Sequence, residues 1–262
     1  MDLGLSGKVA IVTGSSDGIG FVSAQILARE GARVVLCARR EARLLEARDK
    51  LLSASGAEVL AVQCDVRKLD DVRRLTDETI RRFGAIHVLV NNAGSVPAIK
   101  FTEVSDDQWY EYLERKLMGF VRVTREVVPH MQKNGWGRIV NVAGTAGREP
   151  SQTAMAVGIN NAAVMNWTKS MSIQYAPDGI LVNTVAPGSI DTPRQVGNRQ
   201  REAEVTGKSV EEIRQARVKD IPLGRLGRPE EVARLIAFLA SECSSYMTGT
   251  CVIIDGGVVR GI

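Results

Sequence analysis

Short β-branched runs alternate with helix-period segments along the whole chain, and that alternation leaves few folds open. The runs are 9–12, 34–37, 59–62, 88–90, 139–142, 181–185 and 251–254, with helical patterns at 21–30, 41–52, 72–83, 106–132, 162–175 and 230–240. Most of the runs are continuously apolar rather than alternating, as strands buried on both faces of a parallel sheet must be. The pattern predicts a single-domain α/β fold, a Rossmann-type doubly wound parallel sheet of about seven strands with helices on both faces. No repeat or linker divides the 262 residues, so one domain is expected over 1–262. Residues 193–222 break the rhythm: they are highly charged, lack a clear strand, and contain Ser209-x-x-Glu212, a capping-box pattern. They read either as two short surface helices or as a lid over a ligand crevice.

Composition removes several alternatives. With 44% hydrophobic and 24% charged residues the chain can build a sizeable core, which excludes a disordered or low-complexity protein. Its apolar runs are far short of the ~20 residues of a membrane span, and residues 1–8 lack the pattern of a signal peptide. No membrane association and a cytoplasmic location are therefore expected. The net charge of +4 comes from 34 basic and 30 acidic residues that are interspersed, as in Arg39-Arg40-Glu41. That is the pattern of solvated helix faces, and no nucleic-acid partner is expected. Cys37, Cys64, Cys243 and Cys251 have no C-x-x-C spacing and read as reduced, buried thiols. His87 and His130 stand alone, so no metal site is expected.

The first strand runs directly into Gly14-Ser15-Ser16-Asp17-Gly18-Ile19-Gly20 and then a helix. Glycines at this spacing let the backbone turn tightly and approach a pyrophosphate, whose charge meets the amides of the helix N-terminus. Gly14, Ser16, Asp17, Gly18, Ile19 and Gly20 are accordingly candidate cofactor contacts. The second strand ends Cys37-Ala38-Arg39-Arg40. An acid there would bind the ribose 2′-hydroxyl of NAD, whereas an arginine accommodates a 2′-phosphate. Arg39 favours NADP(H) over NAD(H), with Asp17 a mild counter-argument and an unliganded surface arginine the plain alternative.

Together, Thr13-Gly14-x-x-x-Gly18-Ile19-Gly20, Asn91-Asn92-Ala93-Gly94, Pro187-Gly188-x-x-x-Thr192-Pro193 and Asp255-Gly256-Gly257 resemble the short-chain dehydrogenase/reductase family. The resemblance covers essentially the whole chain in order. It implies that Asp65 and Val66 flank the adenine, that Asn92, Ala93 and Gly94 line the middle of the cofactor, and that Pro187, Gly188, Ile190 and Thr192 hold the nicotinamide end. It also implies a homo-oligomer, a tetramer or dimer built on segments 106–132 and 162–175 and the tail 255–262.

In typical members of that family a tyrosine moves the hydroxyl proton and a lysine four residues later lowers its pKa. A serine binds the substrate oxygen, and an asparagine supports a water relay. The lysine matters because an unperturbed phenol, with a pKa of ~10, is too weakly ionised to act as a base at neutral pH. The matching positions here are Gly144 for serine, Val157 for tyrosine, Asn161 for lysine and Lys116 for asparagine. Tyr112 has a lysine four residues on, Lys116, but none of Tyr110, Tyr112, Tyr175 and Tyr246 lies between Gly137 and Ala162, where the family's tyrosine stands. The standard mechanism is therefore absent from the sequence.

Lys116 is the one candidate proton donor or oxyanion stabiliser among the four, unless its ammonium simply caps polar backbone. Asn161 can still hydrogen-bond a ribose, and Thr145, Ser151 and Thr153 offer hydroxyls near the missing serine, as loops generally do. Lys169, eight residues along, is too far to replace the lysine. Trp109, Trp136 and Met155 fit either an apolar ligand or an ordinary core. Losing one positioned acid costs ~10²–10⁴ in rate, while holding reactants together still supplies ~7–11 kcal/mol. Three readings follow: an atypical NADP(H)-dependent oxidoreductase for a small carbonyl or alcohol, a catalytically silent nucleotide-binding sensor or oligomer partner, or a lyase-type activity centred on Lys116.

Overall fold

The computed structural model describes residues 2–94, 96, 101–150 and 155–261. Its strands are β1 (Val9–Thr13), β2 (Arg33–Ala38), β3 (Val59–Gln63), β4 (Val88–Asn91), β5 (Gly137–Val142), β6 (Ile180–Pro187) and β7 (Cys251–Ile254). They form one parallel sheet in the order β3-β2-β1-β4-β5-β6-β7. The helices are α1 (Gly18–Arg29), α2 (Glu41–Ser55), α3 (Leu69–Phe83), α4 (Asp106–Leu113), α5 (Gly119–Asn134), α6 (Met155–Tyr175), α7 (Pro193–Thr206), α8 (Val210–Val218) and α9 (Pro229–Leu239).

The inner strands β1, β2, β4, β5 and β6 bury both of their faces, which is why their runs are continuously apolar, whereas the edge strands β3 and β7 are only partly buried. Ala10 and Val12 of β1 pack with Leu27, Leu44, Leu51 and Ile236 from α1, α2 and α9. Val9 and Ile11 turn the other way, onto Val72 and Leu75 of α3 and Val123 and Met131 of α5. Full burial of such a side chain stabilises the fold by about 1.5–3 kcal/mol, so a register slip on either face is strongly disfavoured. The strand order reverses between β1 and β4. In sheets of this kind, that is where a crevice opens at the carboxyl ends of the strands.

The long helix expected over 106–132 is interrupted. A π-helical turn, Glu114–Met118, separates α4 from α5. Two close approaches accompany it. A Cβ on Gly94 would lie 2.8 Å from the Arg115 carbonyl oxygen and 3.0 Å from Lys116 Cα, and one on Gly119 would lie 2.8 Å from Val66 Cγ2. Hydrophobic spacing does not register a turn widened by one residue, whereas π-turns of this sort recur at functional sites.

Residues 193–222 contain α7 and α8, the two short helices of the plainer reading, and Ser209 and Glu212 form the anticipated capping box on α8. Cys37 and Cys64 are buried, but Cys251 is half-buried and Cys243 exposed, which corrects the expectation of four buried thiols. No helix among the described residues is long and apolar enough to cross a membrane.

Candidate cofactor and active site

The glycine turn after β1 is stitched to its neighbours before any ligand is considered. The Ser15 hydroxyl donates to the Val12 carbonyl at 2.8 Å and accepts the Cys37 N–H at 2.9 Å, tying the turn to β2. Thr13 Oγ1 accepts the N–H groups of Asn92 and Ala93 at 2.9 and 3.0 Å, and the Asn92 amide donates to the carbonyls of Thr13 and Gly14. Space is the second constraint. Gly14 has φ +66°, and a Cβ there would lie 2.9 Å from Ala93 Cα; one on Gly20 would lie 2.4 Å from the Gly14 carbonyl oxygen. Only glycine fits either place.

Two adjoining hollows share Gly14, Asp17, Ala93 and Gly94 and make a continuous crevice across the strand ends. The outer one, about 160 Å³, includes Ser16, Arg39, Asp65 and Val66. The inner one, about 340 Å³, brings together Gly18, Ile19, Asn92, Lys116, Gly144, Val157, Asn161, Pro187, Gly188, Ile190 and Thr192. Every cofactor residue expected from the sequence therefore lines the crevice except Gly20, whose part is the close packing just described. All four positions matching the family's catalytic groups stand on one cavity.

In the outer hollow Arg39 makes no ion pair among the described residues and is exposed. Asp65 is committed to a neighbour that the sequence reading passed over. The Arg67 Nη2 donates to one Asp65 carboxylate oxygen at 2.6 Å, and Nε lies 3.0 Å from both. Burial works to raise the Asp65 pKa, but the hydrogen bonds and charge of Arg67 outweigh it and hold the carboxyl below its ordinary value. Arg67 also lies 3.7 Å from Glu111, which in turn pairs with Arg115. Ion pairs thus connect the loop of Asp65 to the π-turn that carries Lys116.

In the inner hollow Lys116 is half-buried, with its Nζ 6.0 Å from the centre of the Phe120 ring. Burial, and after it the charge of Arg194, bring its ammonium down from an ordinary 10.5 to about 8. Asn161 is 1% exposed, and its Oδ1 has no hydrogen-bond partner among the described residues. Leaving such an acceptor unsatisfied costs about 1–3 kcal/mol. Val157 packs with Val96, Trp109, Tyr112 and Ala156; Val96 and Val157 line the cleft, and Trp109 belongs to the apolar cluster they share rather than to the lining. Trp136 belongs to neither: it sits under the cations of Lys8 and Arg138, at 4.0 and 4.2 Å, away from the site. Thr145 is not among the residues that line the cleft, and Ser151 and Thr153 lie outside the described residues. Met155 is partly exposed at the start of α6, and Lys169 is exposed beside Gly249.

The sequence reading also passed over Val96, Val142, Ala143, Arg194 and Gln195, which complete the inner hollow. Arg194 is the second residue of α7 and follows directly on Thr192-Pro193. That position was the available signal: the motif residue Thr192 carries its neighbour to the cleft.

A parallel doubly wound sheet with a glycine turn and a crevice at its switch point defines a dinucleotide-binding protein. The family model described as Enoyl-(Acyl carrier protein) reductase matches residues 14–259. A putative ketoacyl reductase of Streptomyces coelicolor is 34% identical over 253 residues, covering 96% of this chain and 97% of that protein. The chain belongs to the short-chain dehydrogenase/reductase family. The crystal structure of L-sorbose reductase from Gluconobacter frateurii, complexed with NADPH and L-sorbose, superimposes with a TM-score of 0.96 at 35% identity, covering all of both chains. An NADPH-bound short-chain oxidoreductase from Pseudomonas aeruginosa PAO1, described as containing an atypical catalytic center, superimposes with a TM-score of 0.91 at 36% identity over 99% of each chain.

Proposed function

We propose that this chain is an NADP(H)-dependent oxidoreductase for a small carbonyl or alcohol, working without the serine, tyrosine and lysine usual in its family. The cofactor fits on the chain's own terms. Asp17, the N-cap of α1, makes no side-chain cap, so the first amides of that helix are not taken by a side chain and suit a phosphate. Gly14 and Gly20 leave a cradle that a Cβ would fill. Arg39 suits a 2′-phosphate, and the unpartnered Oδ1 of Asn161 suits a ribose hydroxyl. The NADPH named in the two neighbouring structures supports the same choice. When bound, NADP(H) supplies or accepts a hydride.

The observation that carries the catalytic reading is Lys116, a weakened ammonium on the same cavity as Asn161 and Gly144. In the reducing direction its Nζ donates a proton to the substrate oxygen and, before that, stabilises the negative charge growing there. In the oxidising direction the free amine accepts the hydroxyl proton. Val96 and Val157 supply an apolar wall that limits water, and α7 and α8 form the lid. Exposed Ile159 and Ile173 on α6 support a homo-oligomer built on that helix. A silent nucleotide-binding role is favoured by the replacement of all four catalytic positions, Val157 among them having no proton to give.

Fluorescence titration of the purified protein with NADPH and NADH, followed by the pH profile of NADPH oxidation with a carbonyl substrate, separates these readings. The expected result is tighter NADPH binding and a reduction rate that declines as pH rises through about 8. Lys116→Met should keep NADPH affinity, lose that limb and slow turnover by ~10²–10⁴. Unchanged turnover in that variant removes Lys116 from the chemistry. NADPH binding without turnover of any carbonyl leaves the silent role.

A further inference from the structure

Charge in the inner hollow bears on the class of substrate. Lys116 and Arg194 both line it, and neither makes an ion pair among the described residues. Thr192 and Gln195, from the first turn of α7, line it as well, which brings the positive end of a 14-residue helix to the same wall. Among the described residues the one carboxylate on this hollow is Asp17, on the glycine turn, 4.0 Å from Arg43, and its charge also favours the Arg194 guanidinium. This part of the crevice therefore carries two cations and a helix N-terminus against the single carboxylate of Asp17. Their mutual repulsion is also felt at Lys116, whose ammonium Arg194 helps to weaken.

A tyrosine-free site could suit an iminium, which needs no proton on an oxygen. An iminium, however, would add a third positive charge to this wall, and at short range in a partly desolvated cleft that repulsion is costly. An oxygen that gains negative charge, on a molecule that already carries some, is matched instead.

We infer that the substrate is an oxo acid, a carbonyl compound bearing a carboxylate, with Arg194 gripping the carboxylate while Lys116 faces the carbonyl oxygen. The guanidinium suits this task because its planar fork holds a carboxylate through two parallel hydrogen bonds. Arg194 sits on the first helix of segment 193–222, so the group that recognises the substrate is part of the element that borders the cleft. The inference rests on the oxidoreductase reading above and adds to it a recognition residue and a substrate class.

The test is a binding titration on the NADP+-loaded protein, which cannot reduce the ligand, followed by tryptophan fluorescence, with pyruvate, acetoacetate and levulinate and with the methyl ester of each. At least one acid is expected to bind about tenfold or more tightly than its ester, and Arg194→Met is expected to erase that difference. The same variant should shift NADPH affinity by no more than about twofold. The inference is overturned if the esters bind as well as the acids throughout, if no acid binds, or if the preference survives Arg194→Met. It is also overturned if that variant mainly weakens NADPH, since Arg194 then serves a cofactor phosphate. A wild-type chain that fails to bind NADPH overturns the oxidoreductase reading itself, and this inference with it.

Discussion

Gly144 and Asn161 are steric complements: a Cβ at Gly144 would lie 2.8 Å from Asn161 Nδ2. The amide occupies the space that a larger residue at 144 would need. Gly144→Ala should therefore cost about 1–3 kcal/mol in the native background and much less in an Asn161→Ala background. Urea unfolding of the two single variants and the double variant measures this, and a coupling near zero would show that the contact is slack.

The same contact governs any attempt to restore the family's catalytic groups. Gly144→Ser alone meets the Asn161 amide, so it is expected to help only together with Asn161→Lys and Val157→Tyr. The triple variant should create or raise carbonyl reduction, read as NADPH oxidation. If the wild-type chain is faster than the triple variant on its own substrate, the silent role is excluded.

Arg39 should discriminate between the two cofactors. Arg39→Ala is expected to weaken NADPH by about tenfold or more and to leave NADH within about twofold, because a lost charge-assisted contact to the 2′-phosphate touches only NADPH. Equal losses for both would make Arg39 a packing residue of the adenine site.

Gly94 carries a double constraint, and Gly56 only half of it. Both have positive φ, +117° and +63°, but a Cβ at Gly94 would strike the Arg115 carbonyl, whereas nothing lies within 4 Å at Gly56. Gly56→Ala should cost about 1–2 kcal/mol of backbone strain. Gly94→Ala should cost about 1–3 kcal/mol more and displace the turn that carries Lys116. Denaturation midpoints, with the pH profile of turnover as a second readout, test this.

His87 makes stability depend on pH at the far end of the sheet. Its Nδ1 accepts the Val9 N–H at 3.0 Å, and its ring meets Trp136 edge-on at 6.0 Å. Burial, then the charges of Lys8 and Arg33, lower its pKa from 6.5. The unfolded chain then takes up a proton before the folded one does. Stability should hold above about pH 6.5 and fall as pH drops from there through the lower folded-state value. Urea midpoints at pH 7.5 and 5.5 should differ more for the wild-type chain than for His87→Phe, which keeps a ring against Trp136.

Local chemistry made much of this protein legible from its sequence. Continuous apolar runs such as Val34–Cys37 require burial on both faces, and both faces of β2 are buried. Gly14, Gly18 and Gly20 mark the phosphate turn because each meets a backbone need that is written into the residue itself. The order of the motifs along the chain was enough for the fold and for nearly all of the crevice lining. Other features depend on atoms far apart in sequence, and only the tertiary structure decided them. The π-turn at Lys116 accompanies the approach of Gly94 and Val66 from other strand ends. Asp65 is spoken for by Arg67, and Trp136 lies among cations instead of in the cleft. Arg194 is an unremarkable arginine in a charged segment until β6 delivers the start of α7 to the cavity of Lys116. Hydrophobic period and glycine spacing report what each segment needs for itself; the charge and space of a cleft are set by which segments meet there.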